Sequence, residues 1–259
     1  MKMDFFLWVA LPYISFALLI GGMIWRWKTD QYGWTSRSSQ IYESKLLRLS
    51  SPLFHLGIIF VGLGHVMGLV FPKAMTNALG ISEHSYHLVA TIGGSVAALM
   101  TVLGLIGLLY RRFVIKSVRL STSRNDVFMY IMLLIAICLG TTATLVNQVF
   151  GEAGGYDYRE TIGPWFRSIF YFQPDPALMA NVPLTFKLHV IAGLLLFAVW
   201  PFTRLVHVLS APIGYPTRPY VVYRSREAAT GAAKPARGWK KVDHSSDDYY
   251  TGGARPSGA

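Results

Sequence analysis

Long apolar runs without a charged side chain alternate with short polar, mostly basic segments over most of the chain. Residues 5–25, 52–72, 88–110 and 127–150 contain no Asp, Glu, Lys or Arg, and more than about 18 such residues in a row mark a helix crossing a hydrocarbon core of roughly 30 Å. A fifth run, 188–203, is shorter; continuing it through Arg204 to Leu209 gives adequate length, because an arginine near a helix end reaches the headgroup layer. Lipid gives backbone polar groups no solvent to bond, so each span is expected to be helical, and an odd number of spans puts the termini on opposite sides. The predicted fold class is an all-α integral membrane protein, a bundle of five transmembrane helices within residues 1–226. Residues 227–259, rich in Ala, Gly, Ser, Pro, Lys and Asp, read as a flexible cytoplasmic extension.

Composition agrees with this pattern. The 259 residues are 53% hydrophobic and 14% charged, against roughly 25% charged in a soluble domain. The single cysteine, Cys138, excludes an internal disulfide and reads as a small packing residue inside the fourth span. A net charge of +11 would suggest nucleic acid on a soluble protein. Its distribution points elsewhere. Arg26, Lys28, Arg37, Lys45 and Arg48 follow the first span; Arg111, Arg112, Lys116, Arg119 and Arg124 follow the third; Arg204, Arg218, Arg224 and Arg226 follow the fifth. The opposite side carries only Lys2, Lys73, Arg159, Arg167 and Lys187. Positive residues are retained in the cytoplasm, so the N-terminus is expected outside and the basic excess reports topology, not nucleic acid. The first run is too long for a secretory signal and ends in Trp25-Arg26-Trp27-Lys28 where a small-residue cleavage site would stand, so it is kept as a span with an interfacial tryptophan anchor. The outer loop 151–183, with Trp165, Phe166, Tyr171 and Phe172, suits a short amphipathic stretch at the interface.

Ionisable side chains in hydrocarbon are functional candidates by default. None of the four plain runs holds a carboxylate, which counts against a proton-coupled transporter, but four histidines fall in spans: His55 and His65 in the second, His189 and His207 in the fifth. Two neutral imidazoles on opposite faces of a porphyrin hold a haem iron in a six-coordinate state suited to electron transfer. The second span runs outward and the fifth inward, so depth pairs His65 with His189 and His55 with His207. On a continuous helix, His189 and His207 stand five turns and about 27 Å apart on one side, whereas His55 and His65 are separated by only about 15 Å and roughly 80°. Tilt of the second helix or unequal approach by the ligands has to absorb that mismatch.

Other residues carry two readings each. Gly57, Gly62, Gly64 and Gly68 either leave room for a flat macrocycle or let helices pack closely. Arg204 either pairs with a haem propionate or snorkels to the interface. His84, Ser85, Tyr86 and His87 form either an outer quinol cleft or a surface loop.

The chain resembles the gamma subunit of membrane-bound respiratory nitrate reductase, a cytochrome b subunit with five transmembrane helices, over about residues 5–226. The resemblance rests on Gln31-Tyr32-Gly33-Trp34-Thr35, Ser38-Ser39-Gln40, Leu53-Phe54-His55-Leu56-Gly57, Gly64-His65, Gly93-Gly94, Leu188-His189 and Pro201-Phe202-Thr203-Arg204-Leu205-Val206-His207. It implies two b-type haems, a distal one held by His65 and His189 near the outer face and a proximal one held by His55 and His207 near the cytoplasm. It further implies a bacterial cytoplasmic-membrane location. It implies too that quinol is oxidised beside the distal haem with outward proton release, and that electrons pass to an iron–sulfur beta subunit and a molybdenum-containing alpha subunit that reduces nitrate to nitrite. Gly64, His84, Ser85 and His87 are the quinol-binding candidates; Ser85 occupies the place where some family members carry a lysine. The runners-up are a related dihaem anchor of another cytoplasmic reductase, such as one for sulfur compounds, and a haem-free membrane scaffold or transporter.

Overall fold

The computed structural model describes residues 2–151 and 155–210. Among them there is no strand, and five helices are long and apolar enough to cross a membrane: α1 Lys2–Thr29, α2 Lys45–Val70, α3 Glu83–Val114, α4 Arg124–Val149 and α5 Leu184–Phe202. The predicted tail, residues 227–259, and the basic residues Arg218, Arg224 and Arg226 before it lie outside the described residues.

Four helices extend past the uncharged runs that predicted them, and in two of them local capping sets the earlier start. The Ser82 hydroxyl accepts the Ser85 N–H and opens α3 at Glu83. A reciprocal capping box between Ser123 and Asp126 opens α4, satisfying N–H groups that the first turn leaves free. Helix α2 begins at Lys45, seven residues ahead of Pro52, which it accommodates internally. A wider π-helical turn, Val66–Val70, follows directly after His65.

The fifth span differs from the continuous helix expected through Leu209. Its α-helical part ends at Val199, Trp200–Phe202 is a 3-10 turn, Thr203 is extended, and Arg204–Ser210 is a second 3-10 segment. Pro201 explains the break: it has no N–H to continue the ladder, and its ring crowds the carbonyl one turn earlier. The Thr203 hydroxyl bonds the Trp200 carbonyl and accepts the Leu205 N–H, replacing part of the lost ladder. The five-turn spacing of His189 and His207 therefore does not hold.

Helices α2 and α3 approach through small residues. A methyl group on Gly104 would lie 2.4 Å from the Phe54 backbone nitrogen, and one on Gly57 would lie 2.6 Å from the Thr101 nitrogen. Phe54, Leu105, Met129, Leu133, Ala136, Leu196 and Leu205 form a core on the side of the chain where the basic segments gather. A second core joins Trp8, Leu11 and Leu194 to Ile162, Trp165, Ile169, Met179 and Val182. The outer loop does contain a short amphipathic helix, Ile162–Phe170. Its apolar face turns into this core, however, with the Trp165 indole N–H donating to the Trp8 carbonyl at 2.9 Å. Only Phe170, Tyr171 and Phe172 project outward there. Large apolar residues such as Ile59, Leu63, Ile92 and Leu103 are exposed along the spans, as expected where lipid is the solvent. Cys138 is also exposed, so it faces outward from α4 and is not a packing residue.

Candidate functional site

The four histidines meet as two pairs. The ring centroids of His65 and His189 are 5.9 Å apart, and those of His55 and His207 are 6.2 Å apart, with planes inclined at 50° and 71°. In each ring Nδ1 bonds a backbone carbonyl: His55 with Ser51 at 2.7 Å, His65 with Val61 at 2.7 Å, His189 with Ala136 at 3.1 Å and His207 with Arg204 at 2.6 Å. A carbonyl only accepts, so Nδ1 carries a proton in each ring, the arrangement in which the neutral tautomer keeps its lone pair on Nε2. Main-chain orientation of the ring is the usual support of a metal-ligating histidine.

Both separations suit an iron between the rings. A metal held by both imidazoles at about 2.0 Å, with ring radii of about 1.15 Å, would put the centroids about 6.3 Å apart. Among the described residues no group of three or more His, Cys, Asp or Glu gathers to hold a bare metal ion. Two imidazoles suffice where a porphyrin supplies the equatorial donors.

Each pair depends on close approach elsewhere. A methyl group on Gly140 of α4 would stand 2.7 Å from His189 Cε1, so only glycine admits that ring beside the helix. The glycines of α2 divide between their two readings: Gly57 and Gly68 are filled by Thr101 and Tyr158, while Gly62 and Gly64 face open space, as do Gly93 and Gly94 of α3.

Beside His55 and His207 lies a cavity of about 530 Å³, lined also by Arg37, Arg48, Arg111, Arg112 and Arg204 and by no carboxylate. Arg204 Nε pairs with Asp126 at 2.9 Å, and Arg111 Nε with Glu43 at 2.6 Å. Arg112 bonds only the Thr122 hydroxyl at 3.5 Å and lies over the Tyr130 ring. Arg37 is held at φ +46°, a conformation costly for a residue with a Cβ. The cavity thus presents more cationic groups than the described residues neutralise, which suits a ligand bearing carboxylates.

The outer candidates are not equivalent. Ser85 is engaged in the α3 cap and His84 is exposed, whereas His87 turns inward, with Nδ1 3.3 Å from the Thr91 hydroxyl and an enclosed Nε2 that has no partner among the described residues. Gly155, at φ +65°, lets the chain pass close over it, since a methyl group there would be 2.7 Å from His87 Cε1. A polar girdle lies in the same region: Lys73 pairs with Asp157 and, at 2.6 Å, with Glu160, and the buried Arg159 guanidinium stacks 3.8 Å over Tyr86. Tyr158 packs on Gly68, and its phenol pKa is raised, first by burial and then by Tyr86, so it stays protonated.

The family model described as nitrate reductase gamma subunit matches residues 4–226. The chain belongs to the nitrate reductase gamma subunit family. Within that family it is 47% identical over 220 residues to the nitrate reductase gamma chain of Bacillus subtilis, covering 85% of this chain and 97% of that protein. It is 33% identical over 225 residues to the respiratory nitrate reductase 2 gamma chain of Escherichia coli, covering 86% and 98%. It is 49% identical over 233 residues to the nitrate reductase-like protein NarX of Mycobacterium tuberculosis, covering 90% of this chain but 35% of that protein. The chain spans about a third of the length of this mycobacterial relative.

The sequence pattern of this gamma-family chain did not single out Gly140, Asp126 or Asn125, and it counted Arg26 among the basic residues flanking the first span. Arg26 is in fact buried. The available signal was Pro201, whose position inside a span requires outside groups for the carbonyls it strands.

Proposed function

We propose that the chain is the quinol-oxidising membrane subunit of a respiratory nitrate reductase and holds two b-type haems, one between His65 and His189 and one between His55 and His207. The observation that carries this reading is the double pairing: two imidazole pairs at iron-bridging separation, each ring with Nδ1 committed to a carbonyl. When bound, the haems supply one-electron carriage between a two-electron quinol and the redox subunits. The protein's part is to present Nε2 in the coordinating tautomer and to exclude alternative protonation.

The basic end faces the cytoplasm in this reading, with the N-terminus outside. The arginines of the cavity, Arg204 among them, would neutralise the carboxylates of a haem held by His55 and His207, at the end that would face the iron–sulfur and molybdenum subunits reducing nitrate to nitrite. At the opposite end Gly64, which leaves open space beside His65, forms the quinol cleft with His84, Ser85 and His87. His87 is the residue suited to accept a proton there, because its Nε2 is enclosed and unpartnered among the described residues; His84 is exposed and passes the proton outward. The location is the bacterial cytoplasmic membrane.

Pyridine haemochrome analysis of the purified chain tests the proposal: two haems b per polypeptide are expected, and none overturns it. His65→Ala and His189→Ala should remove one and the same haem, and His55→Ala and His207→Ala the other. Loss of different haems within a pair refutes the assignment. Co-purified subunits carrying iron–sulfur clusters and molybdenum are expected, and a partner set without molybdenum refutes the nitrate-reducing role.

A further inference from the structure

The break in α5 frees three successive carbonyls, and each is bonded by a side chain from another helix. Arg26 of α1 donates through Nη1 to the Pro201 carbonyl at 2.7 Å and the Thr203 carbonyl at 2.6 Å, and through Nη2 to the Gly33 carbonyl at 3.1 Å. Asn125, at the start of α4, donates Nδ2–H to the Phe202 carbonyl at 2.8 Å. Helix α1 comes near enough because Gly22, one turn before Arg26, has no side chain: a methyl group there would lie 2.8 Å from the Pro201 ring. The segment held in this way is the one that carries His207, whose Nδ1–H is donated to the Arg204 carbonyl, next in the chain after Thr203.

We infer that Arg26 is a positioning residue for the His207 ligand, with Asn125 as its second anchor. An arginine at the end of a span ordinarily snorkels into the headgroups; Arg26 is 7% exposed and turns its guanidinium onto another helix's main chain. Asp30, 3.6 Å from Nε, offsets its charge. The planar fork matches two carbonyls that diverge at a kink, a geometry that the point charge of lysine does not reproduce. By fixing Thr203 and hence the Arg204 carbonyl, the fork sets both the direction of the His207 ring and the acceptor that polarises it. It touches neither imidazole, and it serves one of the two pairs only.

This inference rests on the proposed haem ligation, and the experiment separates the two. Wild-type, Arg26→Met, Arg26→Lys and Asn125→Ala chains in membranes are compared by low-temperature electron paramagnetic resonance and redox titration, with His207→Ala identifying the signal of its own haem. In Arg26→Met the low-spin signal absent from His207→Ala should shift or vanish, with roughly tenfold or greater weakening of haem retention at that site, the effect of one stranded buried carbonyl. The signal tied to His65 and His189 should keep its position and amplitude. Asn125→Ala should move the same signal less, and Arg26→Lys should restore it partly. Should Arg26→Met fail to accumulate in membranes, the lysine and Asn125→Ala chains carry the test. An unaltered His207-dependent signal, or equal damage to both signals, overturns the inference; a wild-type chain without haem overturns the ligation proposal instead.

Discussion

Gly140 and His189 touch: the position a methyl group would take on Gly140 is 2.7 Å from His189 Cε1 and 3.2 Å from Nε2. The ring cannot retreat without surrendering its bond to the Ala136 carbonyl, one turn earlier on the same helix as Gly140. Overpacking of this kind costs about 1–3 kcal/mol when the neighbour cannot yield. Gly140→Ala should therefore remove or convert to high spin the haem that His189→Ala removes, leaving the other, as read by visible spectra of membranes. An unchanged spectrum would mean that the ring repacks freely.

The Asp126–Arg204 pair is nearly closed to solvent, with side chains 4% and 10% exposed. Removing one partner of such a pair costs about 3–5 kcal/mol, since the other charge stays buried. Asp126 also closes the capping box, worth about 1 kcal/mol at Ser123. Thermal unfolding in detergent should show Asp126→Ala losing several times more stability than Ser123→Ala. Equal losses would reduce Asp126 to a cap.

Glu43 gives a pH-dependent contribution of known sign. Burial pushes its carboxyl up, but the N–H groups of Leu46 and Leu47 and the Arg111 guanidinium outweigh that and hold it below its ordinary 4.5. A carboxylate lowered in the folded state stabilises fully above its unfolded value and loses that contribution as pH falls through the folded one. The melting-temperature difference between wild type and Glu43→Gln should be constant at pH 6–8, in the range where roughly all model carboxylates are ionised, and should shrink below 4.5. A difference that grows on acidification contradicts the assignment.

Lys73 behaves with the opposite sign at the other end. Burial lowers its pKa, and Asp157 and Glu160 more than compensate, so it stands above 10.5. Its contribution is complete below that value and lost as pH rises through the folded pKa. Lys73→Met should make the segment around Asp157 more susceptible to protease at neutral pH while the spans stay intact. Protection equal to wild type would leave the girdle without a role in holding that segment.

The spans were legible because hydrocarbon excludes charge, so uncharged runs such as 88–110 locate them directly. Their ends were not, because Ser82 and the Ser123–Asp126 box start helices within charged sequence. The histidine pairing was legible from depth alone, and both pairs meet in space. The spacing difficulty came from treating α5 as continuous. The residues that resolve it, Arg26 and Asn125, lie 175 and 77 positions from their carbonyl partners, and no local pattern reports contacts of that range. Gly140 was silent for the same reason: a glycine is informative only once its neighbour is known.

All four Nδ1 protons rest on main-chain oxygens, which no substitution at Ser51, Val61, Ala136 or Arg204 can delete so long as the backbone path is kept. The donor nitrogen of each ring is therefore inherited from chain geometry, and the surrounding side chains are left free to diverge without disturbing how the imidazoles point.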